Sequence, residues 1–281
     1  MIRSILVAVD GSASSLAALR LAADWAQRLE ARLEAVFVEE EQRYLTYEVA
    51  ASVGGSVVYP LPLPPDKLAA EKKKVAEQRA GVERAFQEAT RGKVAEANFR
   101  SIEGETQAVL TQAARAADLV VMGKRGQFDP PAARQAGPTT EGLIHEALRP
   151  VLVVPDQPRT AGPLLIAFDD SKGVQRVLPF AVELAERLGS GTVVLTVDDK
   201  EARARKLQED LKPYLNAHHR AVRFAVERGP AAQAIARAAE AEQAGMVAMG
   251  AFGRNPIYEL FFGSTTLAVL ERAKCPVLLM A

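Results

Sequence analysis

Short unbroken apolar runs alternate along this chain with longer stretches whose apolar residues recur every three or four positions. Ile5-Leu6-Val7-Ala8-Val9 is the first run, and an uninterrupted run of this kind predicts a parallel strand buried on both faces. Over residues 14–31, Leu16, Leu19, Ala23, Ala26 and Leu29 fall at helical spacing, with Trp25 beside them as a packing residue. Leu33–Val38 is a second strand. Residues 66–91 carry Leu68, Val75, Val82 and Phe86 on one helical face, and Lys72-Lys73-Lys74 belongs to the solvated side. A strand over Val94–Ile102, a helix over 105–116, a strand over 118–123, a helix over 139–148 and a strand over 150–154 complete this half. Residues 39–65 break the rhythm with Tyr44, Tyr47, Tyr59 and four closely spaced prolines. They read as an irregular insertion, either a lid or a connection without function.

The pattern then restarts. Residues 156–162 are a polar, proline-bearing linker. Leu164–Phe168 runs into Asp169-Asp170-Ser171, as Val9 runs into Asp10-Gly11-Ser12. A helix over 173–188, a strand over 192–197, a helix over 200–217 and a strand over 222–227 follow in the order of the first half. The distance from Gly137 to Pro150 equals that from Gly263 to Pro276, and both Gly123–Gly126 and Gly250–Gly253 are three apart. The chain is therefore a duplication, with domains over 1–155 and 163–281. Strict strand–helix alternation makes each copy an α/β unit with a mostly parallel, doubly wound sheet of five strands. Two copies of similar size suggest a pseudo-two-fold relation.

Composition narrows the function classes. The 35 basic and 35 acidic residues cancel, so bulk electrostatics gives no reason to expect a nucleic-acid partner. No apolar run reaches the ~18 residues of a membrane span. The amino-terminal run is too short for a secretory signal, so the expected location is cytoplasmic with no membrane partner. The single cysteine, Cys275, forms no intrachain disulfide and reads as a small structural residue rather than a nucleophile.

The chemistry concentrates in Gly250–Thr266, a strand end, a glycine-punctuated loop and a helix start. Glycines allow close backbone approach, and a helix start presents unpaired N–H groups and a positive dipole end. Such a stretch suits a phosphate, and equally a tight connection with no ligand. In doubly wound sheets ligands bind beyond the carboxyl ends of the strands, where the strand order reverses. Asp169 ends the first strand of copy two and Asp10 that of copy one; each is either a ligand-orienting carboxylate or a helix N-cap.

At this point the chain resembles the universal stress protein family. That family's nucleotide pattern is Gly, two residues, Gly, nine residues, Gly, then Ser or Thr. Here it stands as Gly250-x2-Gly253-x9-Gly263-Ser264, preceded by Val247-Ala248-Met249. The resemblance covers the chain apart from 39–65 and the linker, and implies an adenine nucleotide α-hydrolase-like fold. It implies ATP as ligand, with Mg2+ as an optional companion of the phosphates. Asp169 would contact adenosine, and Val197 and Met249 would lie by the ligand. Gly250, Gly253 and Gly263 would offer backbone amides, and Ser264 and Thr265 hydroxyls and helix-start amides. Arg254 would add charge or lie solvated. In copy one Asp10, Val38, Gly123, Gly126, Gly137 and Thr139 take the matching positions. There ten residues separate Gly126 from Gly137, and Pro138 replaces Ser or Thr and removes an amide donor. Lys124 and Arg125 are candidate cations for this copy. The family's dimers further imply that Val151–Val154 and Val277–Met280 lie side by side, making the chain an internal pseudo-dimer with a further homodimer open.

Catalytic signals are sparse. The chain has no Gly-x4-Gly-Lys-Ser/Thr loop and no Gly-x-Ser-x-Gly elbow. The histidines, His145, His218 and His219, form no chelating i,i+4 pair. The sequence thus favours a stress-response ATP-binding protein acting through an unidentified protein partner. A slow ATPase or other adenine-nucleotide enzyme, and a nucleotide-free interaction module, are the alternatives.

Overall fold

The computed structural model describes residues 2–52, 55–127, 136–146, 148–218, 222–251 and 263–281. Copy one runs β1 (Ser4–Ala8), α1 (Ala13–Leu29), β2 (Arg32–Glu39), a 3-10 turn (Glu41–Tyr44), β3 (Leu45–Ser52), β4 (Gly55–Pro62), α2 (Pro65–Thr90), β5 (Ala97–Glu103), α3 (Thr106–Ala114), β6 (Leu119–Gly123), α4 (Pro138–Glu146) and β7 (Val151–Val154). Copy two runs β8 (Leu164–Ala167), α5 (Lys172–Arg187), β9 (Thr192–Val197), α6 (Glu201–His218), β10 (Val222–Glu227), α7 (Ala231–Ala241), β11 (Met246–Gly250), α8 (Ser264–Arg272) and β12 (Val277–Met280).

The two five-stranded units join into one ten-stranded sheet, ordered β10-β9-β8-β11-β12-β7-β6-β1-β2-β5. Within this sheet, pairing inside each copy is parallel. The seam is antiparallel, with Val277 opposite Val153, Leu278 opposite Leu152 and Leu279 opposite Val151. The two final strands are thus neighbours, and the sheet's edges are β5 and β10. Burial follows this order. β6 and β7 are buried along their whole length, which is why their sequences read as continuous apolar runs. β5 is largely exposed, as an edge strand must be.

Helices cover both faces. One core layer packs α1, α2, α5 and α6 through residues such as Trp25, Phe86, Val177 and Leu215. The other packs α3, α4, α7 and α8 through Leu110, Leu143, Ile235 and Leu270. Each layer draws residues from both copies, so burial is continuous across the seam. The pseudo-two-fold relation is visible in two reciprocal arginines. Arg28, in the last turn of α1, donates from Nη2 to the Leu188 carbonyl at the end of α5. Arg187, in the last turn of α5, donates from Nη2 to the Leu29 carbonyl and from Nη1 to the Ile2 carbonyl, the latter at 2.9 Å. A cation at a helix C-terminus satisfies an orphan carbonyl and suits the dipole.

The insertion is more regular than its sequence suggests. The 3-10 turn leads into an antiparallel hairpin, β3 and β4, paired from Leu45 opposite Pro62 to Ser52 opposite Gly55. Pro60 and Pro62 argue against a strand inside a sheet. This two-stranded ribbon is separate from the main sheet, and a strand with an unpaired edge tolerates proline.

Candidate functional site

In each copy the first and fourth strands are neighbours, β1 beside β6 and β8 beside β11. The first strand of each copy turns to its second on one side and the fourth to its fifth on the other, so each pair marks a switch point. In each copy the strand that ends at the aspartate therefore lies beside the strand that leads into the glycine loop.

In copy one the β1–α1 turn is built on local bonds. Ser12 is the N-cap of α1, its hydroxyl accepting from Ser15 N at 3.2 Å. Asp10 is not the cap. One of its carboxylate oxygens accepts from Ser12 N at 2.9 Å, and the other from Gln127 N at 2.7 Å, across the crevice. Copy two repeats this: Ser171 caps α5, and Asp169 accepts from Ser171 N at 3.0 Å.

The loop after β6 is stitched to that turn. Ser14 and Ser12 hydroxyls donate to the Arg125 carbonyl at 2.7 and 3.1 Å. Lys124 N donates to the Val154 carbonyl on β7, and Gly137 N donates to the Lys124 carbonyl, drawing the start of α4 to the strand end. The buried Thr140 hydroxyl donates to the Gly123 carbonyl at 3.3 Å. In copy two, Ala251 N donates to Met280 O and the buried Thr266 hydroxyl donates to Ala251 O. Gly123 must be glycine for packing: a Cβ there would lie 2.7 Å from Ser15 N. Gly250 meets Val174 N in the same way, at 2.8 Å.

These elements line a cavity of about 250 Å³ in copy one that opens to solvent. Its walls include Asp10, Val38, Gly123, Gly126, Gly137 and Thr139, the six positions expected from the sequence. Pro138 stands at the start of α4 and also lines the cavity. In copy two, Met249 and Gly250 end β11, Val197 ends β9, Gly263 caps α8, and Ser264 and Thr265 form its first turn. Gly253 and Arg254 lie outside the described residues.

The two candidate cations of copy one are engaged elsewhere. The half-buried Lys124 reaches across the seam, its ammonium donating to the Glu271 carbonyl in the last turn of α8 at 3.0 Å. Burial, with Arg125 nearby, pushes its pKa below the usual lysine value. Arg125 lines the cavity but pairs with Asp156 at 3.2 Å.

The sequence reading passed over Glu40, Arg43, Gln78 and Thr106, which also line the cavity. Arg43 sits on the 3-10 turn just beyond β2. Glu71 Oε1 accepts from its Nε and Nη2 at 3.1 and 2.8 Å, and Gln78 Oε1 accepts from Nη1 at 2.9 Å. Gln78 Nε2 donates to the Asp10 carbonyl and to the Gln127 side chain. A signal existed: Glu71 and Gln78 interrupt the apolar stripe Leu68, Val75, Val82, Phe86 at helical spacing, and polar residues on a buried face need partners.

Cys275 is buried. Burial pushes its thiol up to about 11, with Arg159 opposing, which suits a packing residue. Among the described residues no group of three or more His, Cys, Asp or Glu side chains is placed to hold a metal ion. Nor is any described helix long and apolar enough to cross a membrane.

Fold and site together define a tandem α/β protein of two doubly wound units, with a cavity at the switch point of copy one and the matching strand order in copy two. The family model described as the universal stress protein family matches residues 1–155 and again 161–280, and the chain belongs to that family. A universal stress protein of Synechocystis sp. is 29% identical over 163 residues, which is 57% of this chain. The match likewise spans 57% of that relative's length. A universal stress protein of Mycobacterium tuberculosis is 25% identical over 241 residues, covering 75% of this chain and 73% of its own. The crystal structure of a universal stress protein from Archaeoglobus fulgidus shares the fold over 98% of this chain and 97% of its own, with a TM-score of 0.73 at 19% identity.

Proposed function

We propose that this chain is a regulatory nucleotide-binding protein that holds ATP, or another adenine nucleotide, in its switch-point crevices. The observation that carries the reading is the copy-one cavity. Six positions that the family resemblance singles out line one cavity of about 250 Å³ at the carboxyl end of the sheet. That is where doubly wound folds take ligands.

The residues fit such a group. Asp10 and Asp169 offer carboxylate acceptors at the ends of the first strands. Val38 and Val197 offer apolar surface to a base. The first turns of α4 and α8 offer helix-start amides with the hydroxyls of Thr139, Ser264 and Thr265, a donor set suited to phosphate oxygens. Mg2+, where used, would arrive on the phosphates. Copy two keeps the full glycine spacing and the Ser264 hydroxyl, so it is the stronger ATP site. Occupancy then acts on a protein partner rather than on a reaction.

Calorimetry with ATP, AMP and GTP tests this. The wild-type chain should bind ATP, and the combined Asp169→Ala and Gly263→Val variant should lose the tighter event. Undiminished ATP binding in that variant, or no binding at millimolar ATP, overturns the proposal. Rapid turnover of ATP with Mg2+ would make the protein an enzyme instead.

A further inference from the structure

We infer that Arg43, carried by the insertion of copy one, is the phosphate-contacting cation of the copy-one crevice and sets its preference for nucleotides over nucleosides. The inference rests on the proposed nucleotide function and extends it to a residue outside the glycine motif.

Among the described residues, four charged side chains line the cavity: Asp10, Glu40, Arg43 and Arg125. The Asp10 carboxylate accepts from Ser12 N and Gln127 N. Glu40 accepts from the Thr106 hydroxyl. Arg125 pairs with Asp156 of the linker, and Lys124 points across the seam to α8. Arg43 is held differently. Its side chain is only 13% exposed. Glu71 fixes the Nε–Nη2 edge and Gln78 fixes Nη1. A guanidinium held in a plane by its neighbours is organised before a phosphate arrives, so little side-chain entropy is lost on binding. Glu71 is not reserved to Arg43, because Lys74 shares its carboxylate at 3.5 Å.

The position also answers a deficit in the loop. Copy one has Pro138 where copy two has Ser264, so it lacks that residue's amide and hydroxyl donors. Gln78, which holds Arg43, also bonds the Asp10 carbonyl and the Gln127 side chain beside Gly126. Arg43 is thereby tied to the mouth of the glycine loop. Copy two has no insertion: β9 passes through Asp198-Asp199-Lys200 into α6. Copy one therefore supplements its helix-start donors with a cation brought in on the insertion.

The test uses the full chain carrying Asp169→Ala and Gly263→Val, which leaves copy one as the site. ATP and adenosine are titrated into this background and into Arg43→Met and Arg43→Lys versions of it. Urea unfolding followed by Trp25 fluorescence confirms that each version is folded. Arg43→Met should weaken ATP by about ten- to a hundredfold, the worth of a bond to a charged group, and leave adenosine unchanged. Arg43→Lys should recover part of the loss and bind ATP more weakly as salt is raised. An unchanged ATP-to-adenosine affinity ratio in Arg43→Met overturns the role of Arg43 while leaving nucleotide binding intact. Failure of the background chain to bind either ligand overturns both the copy-one site and this inference.

Discussion

Gly123 joins the fold to the site, and replacing it with alanine tests both. It ends β6 directly under the first turn of α1. A Cβ there would lie 2.5 Å from Ser14 Oγ, 2.7 Å from Ser15 N and 2.9 Å from the Ser14 carbonyl carbon. The hydroxyl can rotate away, but the backbone atoms can retreat only if the whole first turn moves. That turn is held by the Ser12 cap and by the Ser12 and Ser14 bonds to the Arg125 carbonyl. Overpacking of this kind costs about 1–3 kcal/mol. The reduced freedom of the unfolded chain offsets about 0.4–1 kcal/mol of it, leaving a net loss of about 1–2 kcal/mol. Gly81 is the counterpart in the same copy. It lies inside α2 with nothing nearer to a new Cβ than Arg84 Nη2 at 3.9 Å. Alanine there should stabilise by about 0.5–1 kcal/mol. Trp25, the single tryptophan, is buried in α1, so urea denaturation read by its fluorescence reports directly on copy one. The midpoint should fall for Gly123→Ala and rise for Gly81→Ala. A Gly123→Ala chain as stable as wild type would refute the close approach of β6 to α1.

Other consequences follow from the same geometry. Arg28→Ala and Arg187→Ala each remove a side-chain cap at the seam and should each lower stability by about 1 kcal/mol, seen as lower urea midpoints; wild-type midpoints in both would mean that the caps add nothing to the seam. Cys275 should resist an aromatic disulfide reagent at about pH 8 in the native chain and react fully once unfolded, since its raised pKa and burial leave little accessible thiolate; fast native labelling would contradict its placement. Burial pushes the Glu71 carboxyl up, but the bonds and charge of Arg43 and Lys74 outweigh this and hold it below its usual 4.5. Because the folded pKa is the lower one, the Arg43–Glu71 pair stabilises the chain above the usual carboxylate value. That contribution is lost as pH falls through the folded value. Glu71→Gln should flatten this part of the acid-stability profile, and an unchanged profile would remove the pair's role.

The elements that sequence reveals best are those with one environment along their length. β1, β6, β8 and β11 are covered on both faces, so burial alone dictates their composition, and their apolar runs were readable without a structure. The hairpin of β3 and β4 was not, because it lies outside the main sheet and carries two prolines that a central strand would exclude. The antiparallel seam pairs strands from different copies, and nothing local in Val151–Val154 or Val277–Met280 encodes that choice; only the family resemblance pointed to it. In the site, the first glycine of each loop, Gly123 and Gly250, was legible because the close approach of β6 to α1 and of β11 to α5 admits no larger residue. Arg43, Glu71 and Gln78 escaped notice for the opposite reason. Their role depends on α2 folding back over the β1–α1 turn, a long-range contact whose only local trace is two polar residues in an apolar stripe. Lys124 shows the limit of proximity in sequence: it follows Gly123 directly, yet its ammonium serves the end of α8.

The proposed function places nucleotide in two crevices of the tandem chain, one in each copy. Native mass spectrometry of the intact chain titrated with ATP counts them directly. Successive mass increments of one and then two nucleotides are expected. The second should disappear when Asp169→Ala and Gly263→Val are combined, and both when Asp10→Ala is added. Absence of any nucleotide adduct, or two increments surviving in the variant altered in both copies, would contradict it.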